Sequence, residues 1–136
     1  MAEAAKIHIR DLHKSFGPKV VLDGVDLDIA PGESLAIIGG SGTGKSVLLK
    51  HVIGLLRPDA GTVEVDGVAV ERLGNREITE FRRKFGMSFQ EGALFDSMTI
   101  WQNVAFPLQR LTKMSRKEVD ERVKECLEMV RLEGVE

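Results

Sequence analysis

One eight-residue stretch constrains this 136-residue chain more than any other. Residues 39–46 read Gly-Gly-Ser-Gly-Thr-Gly-Lys-Ser and fit the pattern G-x-x-x-x-G-K-[ST]. The apolar run 34–38 before it is typical of a buried strand, and the apolar run 47–56 after it is typical of a helix. Strand, glycine-rich loop and helix in this order are the setting in which the pattern forms a phosphate-binding loop. We therefore expect an α/β fold organised around this loop.

The residue types in the loop suit a phosphate ligand. Its four glycines can adopt positive φ and have no Cβ, so the backbone can wrap closely around phosphate oxygens. Successive N–H groups would point inward, and the helix N-terminus adds partial positive charge. Lys45 would supply a full positive charge for the β- and γ-phosphates, and the Ser46 hydroxyl would ligate Mg²⁺. The alternative is a chance glycine turn before a helix, against which both flanking segments argue.

Composition narrows the class of protein. The net charge is −2, which gives no general case for nucleic-acid binding, and we expect no nucleic-acid partner. No apolar run is long enough to span a bilayer, and the N-terminus lacks the basic-then-apolar pattern of a signal peptide. The single cysteine, Cys126, excludes an internal disulfide and fits a reducing cytoplasm.

The segments on either side of the loop and its helix read as antiparallel β-structure. Alternating apolar residues predict strands over 7–12 and 25–29, with a shorter strand over 20–22. Further along, the pair Asp66-Gly67 separates two strand-like runs, 62–65 and 68–70, which is the signature of a two-residue β-hairpin.

The remainder of the chain is predicted to be mainly helical. A helix is expected over 75–84, followed by a short strand over 87–89. Thr99 could cap a helix over 100–105 that Pro107 ends. Ser115 and Glu118 form a capping box at the start of a last helix. Apolar residues at helical spacing give that helix one buried face: Val119, Val123, Leu127 and Val130.

Four features in order and spacing resemble the ATPases of ATP-binding cassette (ABC) transporters. They are Lys14-Ser15-Phe16-Gly17, the loop 39–46, the segment 54–63 and Phe89-Gln90. The resemblance implies an α/β P-loop NTPase fold, with ATP and Mg²⁺ as ligands. Its RecA-like parallel core would be incomplete here (34–60 and 85–90). It would be joined by an N-terminal antiparallel β subdomain (5–33 and 61–72) and the start of a helical subdomain (91–136).

The resemblance also assigns roles to individual residues. Phe16 stands where the family places an aromatic residue that stacks on adenine, although a core phenylalanine is the alternative. Gln90 would reach Mg²⁺ and the attacking water from the family's Q-loop, although a surface glutamine is the alternative. Lys45 and Gln90 are the expected catalytic residues, and Ser46 and Gln90 the expected metal ligands. The expected cofactor-binding residues are Phe16, Gly39, Gly40, Ser41, Gly42, Thr43, Gly44, Lys45, Ser46 and Val47.

The run 91–108 is similar to ATPases of bacterial phospholipid transporters, the maintenance-of-lipid-asymmetry type associated with mammalian-cell-entry proteins. In the family, this region forms a groove for the membrane subunit, which we expect to involve Leu94, Phe95, Met98 and Trp101. The alternative is that these side chains only pack inward. The implied partners are a transmembrane permease, a second ATP-binding subunit and, indirectly, a lipid-binding protein. The implied location is peripheral, at the cytoplasmic face of the inner membrane.

The family's LSGGQ signature, Walker B strand and switch histidine do not occur in these 136 residues. We therefore expect the chain alone to bind Mg-ATP at best and to hydrolyse it poorly. One alternative is a non-hydrolysing fragment that binds a nucleotide or a partner. Another is a soluble P-loop kinase, against which Gln90 and the run 92–107 argue.

Overall fold

A computed structural model of the chain describes residues 5–40, 42–88 and 92–135. The chain divides into two compact units, Met1–Gly86 and Met87–Glu136. Within the described ranges, every helix is too short or too polar to cross a bilayer.

An antiparallel sheet with strand order β2-β1-β3-β4 forms the frame of the first unit. Its strands are β1 (Ile7–Phe16), β2 (Lys19–Ile29), β3 (Ala60–Val65) and β4 (Val68–Ala69). Strand β1 pairs with β2 from Ile7↔Ile29 to Phe16↔Lys19, so both strands are longer than predicted and β2 is continuous. Pairing between the two strands keeps both extended even where apolar and polar residues do not alternate. The predicted Asp66-Gly67 hairpin is confirmed, with φ of 51° and 77° at its two turn residues.

Helix α1 (Lys45–Val52) follows the glycine-rich loop and packs on the sheet. Its buried residues Leu48 and Val52 join a core that includes Ile9, Leu12 and Val63. Burial of each such side chain contributes about 1.5–3 kcal/mol before the entropy cost of ordering the chain.

The predicted extension of α1 to residue 56 is wrong, because Gly54 ends the helix. The Leu55 N–H donates to the Lys50 carbonyl (2.8 Å) and the Gly54 N–H to the His51 carbonyl (3.2 Å). This pair of bonds satisfies carbonyls that the helix leaves without partners and is the Schellman type of helix ending.

The strand predicted over 34–38 is not formed: residues 33–40 lie outside any helix or strand. Its apolar side chains are exposed, with 94% of Ile38 accessible. The short strand predicted over 87–89 is also absent at residues 87 and 88, and residue 89 lies outside the described ranges. A parallel strand needs neighbours for its ladder hydrogen bonds, and the only sheet among the described residues is antiparallel.

A single 3₁₀ turn (Val70–Arg72) and helix α2 (Asn75–Arg82) complete the first unit. Helix α2 ends close to the predicted residue 84. Phe81 anchors it in the core and stacks edge-on against Phe85, with ring centroids 5.1 Å apart.

The second unit contains helices α3 (Ile100–Leu111) and α4 (Arg116–Met129). The predicted stripe of α4 is confirmed for Val119, Val123 and Leu127, which are buried around Ala105 of α3. Val130 follows the end of α4 and is 62% exposed, so its predicted place on the stripe is wrong.

The prediction that Pro107 ends helix α3 is also wrong, because the helix continues to Leu111. Proline removes one N–H donor and crowds the preceding turn. Val104, Ala105 and Leu108 pack against α4 around the proline, and this tertiary packing overrides the local preference.

Candidate phosphate-binding site

The glycine-rich loop folds back on itself before helix α1 begins. The Thr43 hydroxyl donates to the Gly40 carbonyl (2.8 Å), and the Lys45 ammonium donates to the Gly39 carbonyl. Gly42 and Gly44 have φ of 79° and 94°. Gly39 and Gly40 are not in this left-handed region. Ser41, also expected to bind the ligand, lies outside the described residues.

Gly44 combines a left-handed φ with close contacts to strand β2. A Cβ there would lie 3.0 Å from Val21 Cγ1 and 3.2 Å from Leu22 Cδ2, and its φ is disfavoured for any other residue. The absence of a side chain therefore lets the end of the loop rest directly on strand β2. This contact fixes the point at which helix α1 starts.

The N-terminus of α1 has no side-chain cap from the described residues. Its N-cap residue is Gly44, no described side chain bonds to the first-turn N–H groups, and the first turn contains no acidic residue. The first N–H groups of a helix lack intrahelical partners and concentrate partial positive charge. Together with the Lys45 ammonium, which has three N–H donors, they make an environment suited to an anion.

The first turn also offers a hydroxyl for a metal ion. Ser46 is exposed and its side chain has no hydrogen-bond partner among the described residues. Mg²⁺ in nucleotide sites is usually held by one or two protein oxygens together with phosphate oxygens and water. A single hydroxyl beside a phosphate cradle therefore fits this metal. Val47, the last of the expected cofactor-binding residues, is half-buried against the core.

Phe16 is the last residue of β1 and is 47% exposed. It pairs with Lys19 of β2, two residues before Val21, on which Gly44 rests. Two residues span about 7 Å of strand, so Phe16 and the glycine-rich loop lie at the same end of the sheet. The Lys14 ammonium lies 5.6 Å from the centroid of the Phe16 ring.

Gln90, expected to be both catalytic and a metal ligand, lies outside the described residues. The structure places Phe16 at the same end of the sheet as Gly44, from which helix α1 with Lys45 and Ser46 begins. Each of these belongs to the first unit.

The residues expected to form a partner groove belong to the second unit. Leu94 is 72% exposed and Phe95 is 46% exposed, and the Phe95 ring lies 5.0 Å from that of Phe106. Met98 is half-buried.

Trp101 is held within the second unit. Its indole N–H donates to Asp120 Oδ1 (3.0 Å), and the Arg116 guanidinium lies 5.5 Å from its ring centroid. The Asp120 pKa is lowered from its ordinary value by hydrogen bonds from Lys124 and from this indole. Leu94 and Phe95 thus present more apolar surface than Trp101 does.

The sequence does not predict a structural role for Asp59 in the first unit. Residues 57–61 indicate only a break between two elements and form part of the family-like segment 54–63. Asp59 binds the backbone of β1 more than forty positions earlier in the chain. No local pattern signals such a contact.

Known proteins resemble this chain both in sequence and in fold. The sequence model of the family described as "ABC transporter" matches residues 22–136. The chain is 44% identical over 136 residues to a probable ribonucleotide transport ATP-binding protein, mkl, of Mycobacterium leprae, covering 100% of the chain and 39% of mkl. It is 48% identical over 111 residues to the methionine import ATP-binding protein MetN of Carboxydothermus hydrogenoformans (82% of the chain, 33% of MetN).

A third relative is the intermembrane phospholipid transport system ATP-binding protein MlaF of Haemophilus influenzae. It is 39% identical over 128 residues, which cover 94% of the chain and 48% of MlaF. The chain thus spans less than half the length of these three relatives.

Two solved structures have the same fold. CbiO1 from Clostridium perfringens, part of the ABC transporter complex CbiONQ, aligns with a TM-score of 0.82 and 28% identity, over 98% of this chain and 53% of CbiO1. A dimeric post-hydrolysis state of the cassette MJ0796, bound to ADP and phosphate, aligns with a TM-score of 0.81 and 34% identity (94% and 58%). The glycine-rich loop, the fold around it and the match over residues 22–136 lead to one conclusion: the chain belongs to the ABC transporter ATP-binding family.

Proposed function

We propose that residues 39–46 bind the triphosphate of ATP and that the chain serves as the ATP-binding subunit of an ABC transporter. The observation that carries this proposal is the start of helix α1. It has neither a side-chain cap nor an acidic residue, and it sits beside the Lys45 ammonium. Uncapped N–H groups next to a lysine favour a ligand with several negative charges.

Each residue of the cradle has a task in this proposal. The Lys45 ammonium already donates to the Gly39 carbonyl, and its two other N–H groups can donate to phosphate oxygens. The exposed face of Phe16 stacks on the adenine, a contact worth about 1–3 kcal/mol. Ser46 holds Mg²⁺, which when bound neutralises charge on the phosphates. Gln90 approaches the γ-phosphate side from the Q-loop segment.

For the transported substrate we favour phospholipid. The similarity to MlaF and the family-like run 91–108 support it. The names of other relatives refer to ribonucleotide and methionine transport, so the similarities alone leave three substrate classes. The phospholipid assignment therefore depends on residues 91–108, which include Leu94 and Phe95.

The same proposal includes the partners. A transmembrane permease would contact the surface around Leu94 and Phe95, with Met98 and Trp101 behind it, and a lipid-binding protein would take part indirectly. A second ATP-binding subunit is suggested by the dimeric MJ0796 cassette. In this arrangement the protein lies on the cytoplasmic face of the membrane without entering it.

A binding titration tests the nucleotide site. Mg-ATP is titrated by calorimetry into the wild-type chain and into Lys45→Ala and Lys50→Ala. Lys50 is the matched control, because it is an exposed lysine in the last turn of the same helix. Lys45→Ala should weaken binding by about 1–3 kcal/mol, as expected for loss of a charged hydrogen bond. Equal affinities for Lys45→Ala and the wild type would refute the site.

A reconstitution tests the substrate. The full-length protein is purified with the permease that copurifies with it and is placed in liposomes. Phospholipid movement, methionine uptake and ribonucleotide uptake are then measured with and without ATP. ATP-dependent movement of phospholipid alone is the expected result, and ATP-dependent uptake of either other solute in its place would overturn the phospholipid assignment.

A further inference from the structure

We infer that Asp59 is a positioning residue for the nucleotide base: it fixes the end of strand β1, and with it Phe16, relative to the helix that carries Lys45. This inference rests on the proposed function, because it takes Phe16 as the surface on which adenine stacks. It adds a residue that touches neither the base nor the phosphates.

Asp59 binds the backbone of β1 from both directions. Its Oδ2 accepts the Ser15 N–H at 2.7 Å, and its own N–H donates to the His13 carbonyl at 2.9 Å. Pairing between β1 and β3 stops at His13↔Ala60. Beyond that pair the Asp59 carboxylate takes the place that a strand residue would occupy beside Ser15. Phe16 therefore directly follows Ser15, whose backbone is held in place on the side of β1 that faces β3.

Lys14 adds a second connection at the same place. Its ammonium donates to the Arg57 carbonyl (2.9 Å) and lies 3.4 Å from Asp59 Oδ1. The same ammonium lies over the Phe16 ring, 5.6 Å from its centroid. The Lys14 side chain is 17% exposed and that of Asp59 is 50% exposed, so solvent screens this pair and its part is to orient the two side chains.

Residues 53–59, the connector, join helix α1 to strand β3, so the contact between Asp59 and β1 also links β1 to α1. The connector begins in the Schellman ending of α1 at Gly54. There Arg82 of α2 donates to the Ile53 carbonyl (3.1 Å) and to the Gly54 carbonyl (2.9 Å). The connector is thus bonded at its start to α2 and at its end to β1. Replacing the Asp59 carboxylate would remove the bonds to Ser15 and Lys14 but keep the backbone bond from residue 59 to the His13 carbonyl, so only the last residues of β1 would be loosened. The start of α1, and Lys45, would stay on strand β2.

The ionisation of Asp59 agrees with this role. The hydrogen bond from the Ser15 N–H, followed by that from Lys14, lowers the pKa of the carboxyl below its ordinary value. Asp59 is therefore ionised at neutral pH and accepts both bonds.

The test separates binding of the base from binding of the phosphates. Dissociation constants for Mg-ATP and for inorganic tripolyphosphate with Mg²⁺ are measured by calorimetry. The proteins are the wild-type chain, Asp59→Ala, Phe16→Ala and the double variant. Asp28→Ala is the matched control, because Asp28 is an exposed carboxylate with a lowered pKa that bonds to Arg10 and His8 at the far end of β1.

If Asp59 positions Phe16, Asp59→Ala weakens ATP binding by about five- to tenfold, part of the full stacking contribution, and changes tripolyphosphate binding less than twofold. The double variant should bind ATP no more weakly than Phe16→Ala, because the positioned group is already gone. Asp28→Ala should bind both ligands as the wild type does. Asp59→Asn keeps one oxygen for the Ser15 N–H and should lose less affinity than Asp59→Ala. It also serves as the test variant if Asp59→Ala does not fold.

Two results would overturn the inference while leaving the proposed function intact. One is equal weakening of ATP and tripolyphosphate by the Asp59 variants, which would mean a general loss of structure. The other is unchanged ATP binding in the Asp59 variants while Phe16→Ala is weakened. A wild-type chain that binds neither ligand would instead remove the proposed function, and the inference with it.

Discussion

Helix α4 begins with its own cap, whereas helix α1 begins without one. The Ser115 hydroxyl accepts the Glu118 N–H (3.2 Å) and donates to the Glu118 carboxylate (3.1 Å). Helix α3 has the reciprocal bonds between Thr99 and Gln102. Helix α1 starts at Gly44 with no side-chain cap and no acidic residue in its first turn.

Helix α2 also lacks a side-chain cap at Gly74 but has Glu77 in its first turn, so among the described α-helices α1 alone starts with neither a cap nor an acidic residue. This difference distinguishes helix ends that stabilise the fold from the end at which we propose a phosphate site. A capped end satisfies its N–H groups and gains about 1 kcal/mol of stability. An uncapped end forgoes that stability and keeps its N–H groups for a ligand. The predictions below test this distinction by changing one helix start at a time.

The largest effect is expected at Gly44. Gly44→Ala combines a disfavoured φ of 94° with a Cβ 3.0 Å from Val21, and should lower the free energy of unfolding by about 2–4 kcal/mol. Urea denaturation measures the change. Gly40→Ala is the control from the same loop, because its Cβ would meet nothing within 4 Å and its φ is not left-handed. Similar losses in the two variants would contradict the argument from strain.

The next effect is expected when the first turn of α1 receives an acidic residue. In Ser46→Asp, a carboxylate in the first turn should weaken Mg-ATP binding by about 1–3 kcal/mol, because it repels phosphate and competes for the N–H groups. Thermal stability should stay the same or rise slightly. Ser115→Asp is the control, since aspartate is also a good N-cap and the start of α4 is already capped by its own side chain. Both variants are titrated with Mg-ATP by calorimetry. Undiminished binding to Ser46→Asp would argue against a phosphate site at this helix start.

A smaller effect is expected at the cap of α4. Ser115→Ala should cost about 1 kcal/mol of stability in the second unit and leave Mg-ATP affinity unchanged. Trp101 is the only tryptophan and lies in this unit, so its fluorescence during urea unfolding measures the loss. Ser46→Ala, which removes a hydroxyl that caps nothing, should change stability by less than about 0.5 kcal/mol. A larger loss from Ser46→Ala than from Ser115→Ala would reverse the comparison.

The smallest effect is expected on the pH dependence of stability. This effect belongs to α4, which contains acidic residues, whereas α1 contains none. The Asp120 pKa is lowered from 3.8 in the folded chain, chiefly by the hydrogen bond from Lys124 and then by the Trp101 indole. The folded state therefore binds fewer protons than the unfolded state in this range. The resulting stability is present above pH 3.8 and is lost as the pH falls through the lowered pKa. Unfolding followed by Trp101 fluorescence between about pH 5 and pH 3 should show a shallower decline for Asp120→Asn than for the wild type.

Features that depend on a few consecutive residues could be predicted from the sequence. The Asp66-Gly67 hairpin and the Ser115 N-cap each follow from local backbone chemistry. The predicted capping box at Ser115 is formed only in part, because the Glu118 carboxylate accepts from the Ser115 hydroxyl. The buried stripe of α4 followed from spacing alone, except at Val130.

Features that depend on distant neighbours could not be predicted. The run 34–38 has the composition of a buried strand, but no parallel partner for it exists among the described residues. Pro107 has a strong local tendency to end a helix, yet packing against α4 carries α3 past it. The contact from Asp59 to Ser15 joins residues 44 positions apart, and only the register of β1 and β3 brings them together.

The pairing of β1 with β3 also bears on the order in which this chain folds. Ile7 pairs with Val65, so the whole phosphate loop lies inside a segment whose two ends are joined. The entropy cost of closing so long a segment must be met before β3 contributes its hydrogen bonds. During synthesis, residues 39–46 leave the ribosome before 60–65 do. The first unit therefore acquires its complete sheet only after residues 60–69 have been synthesised.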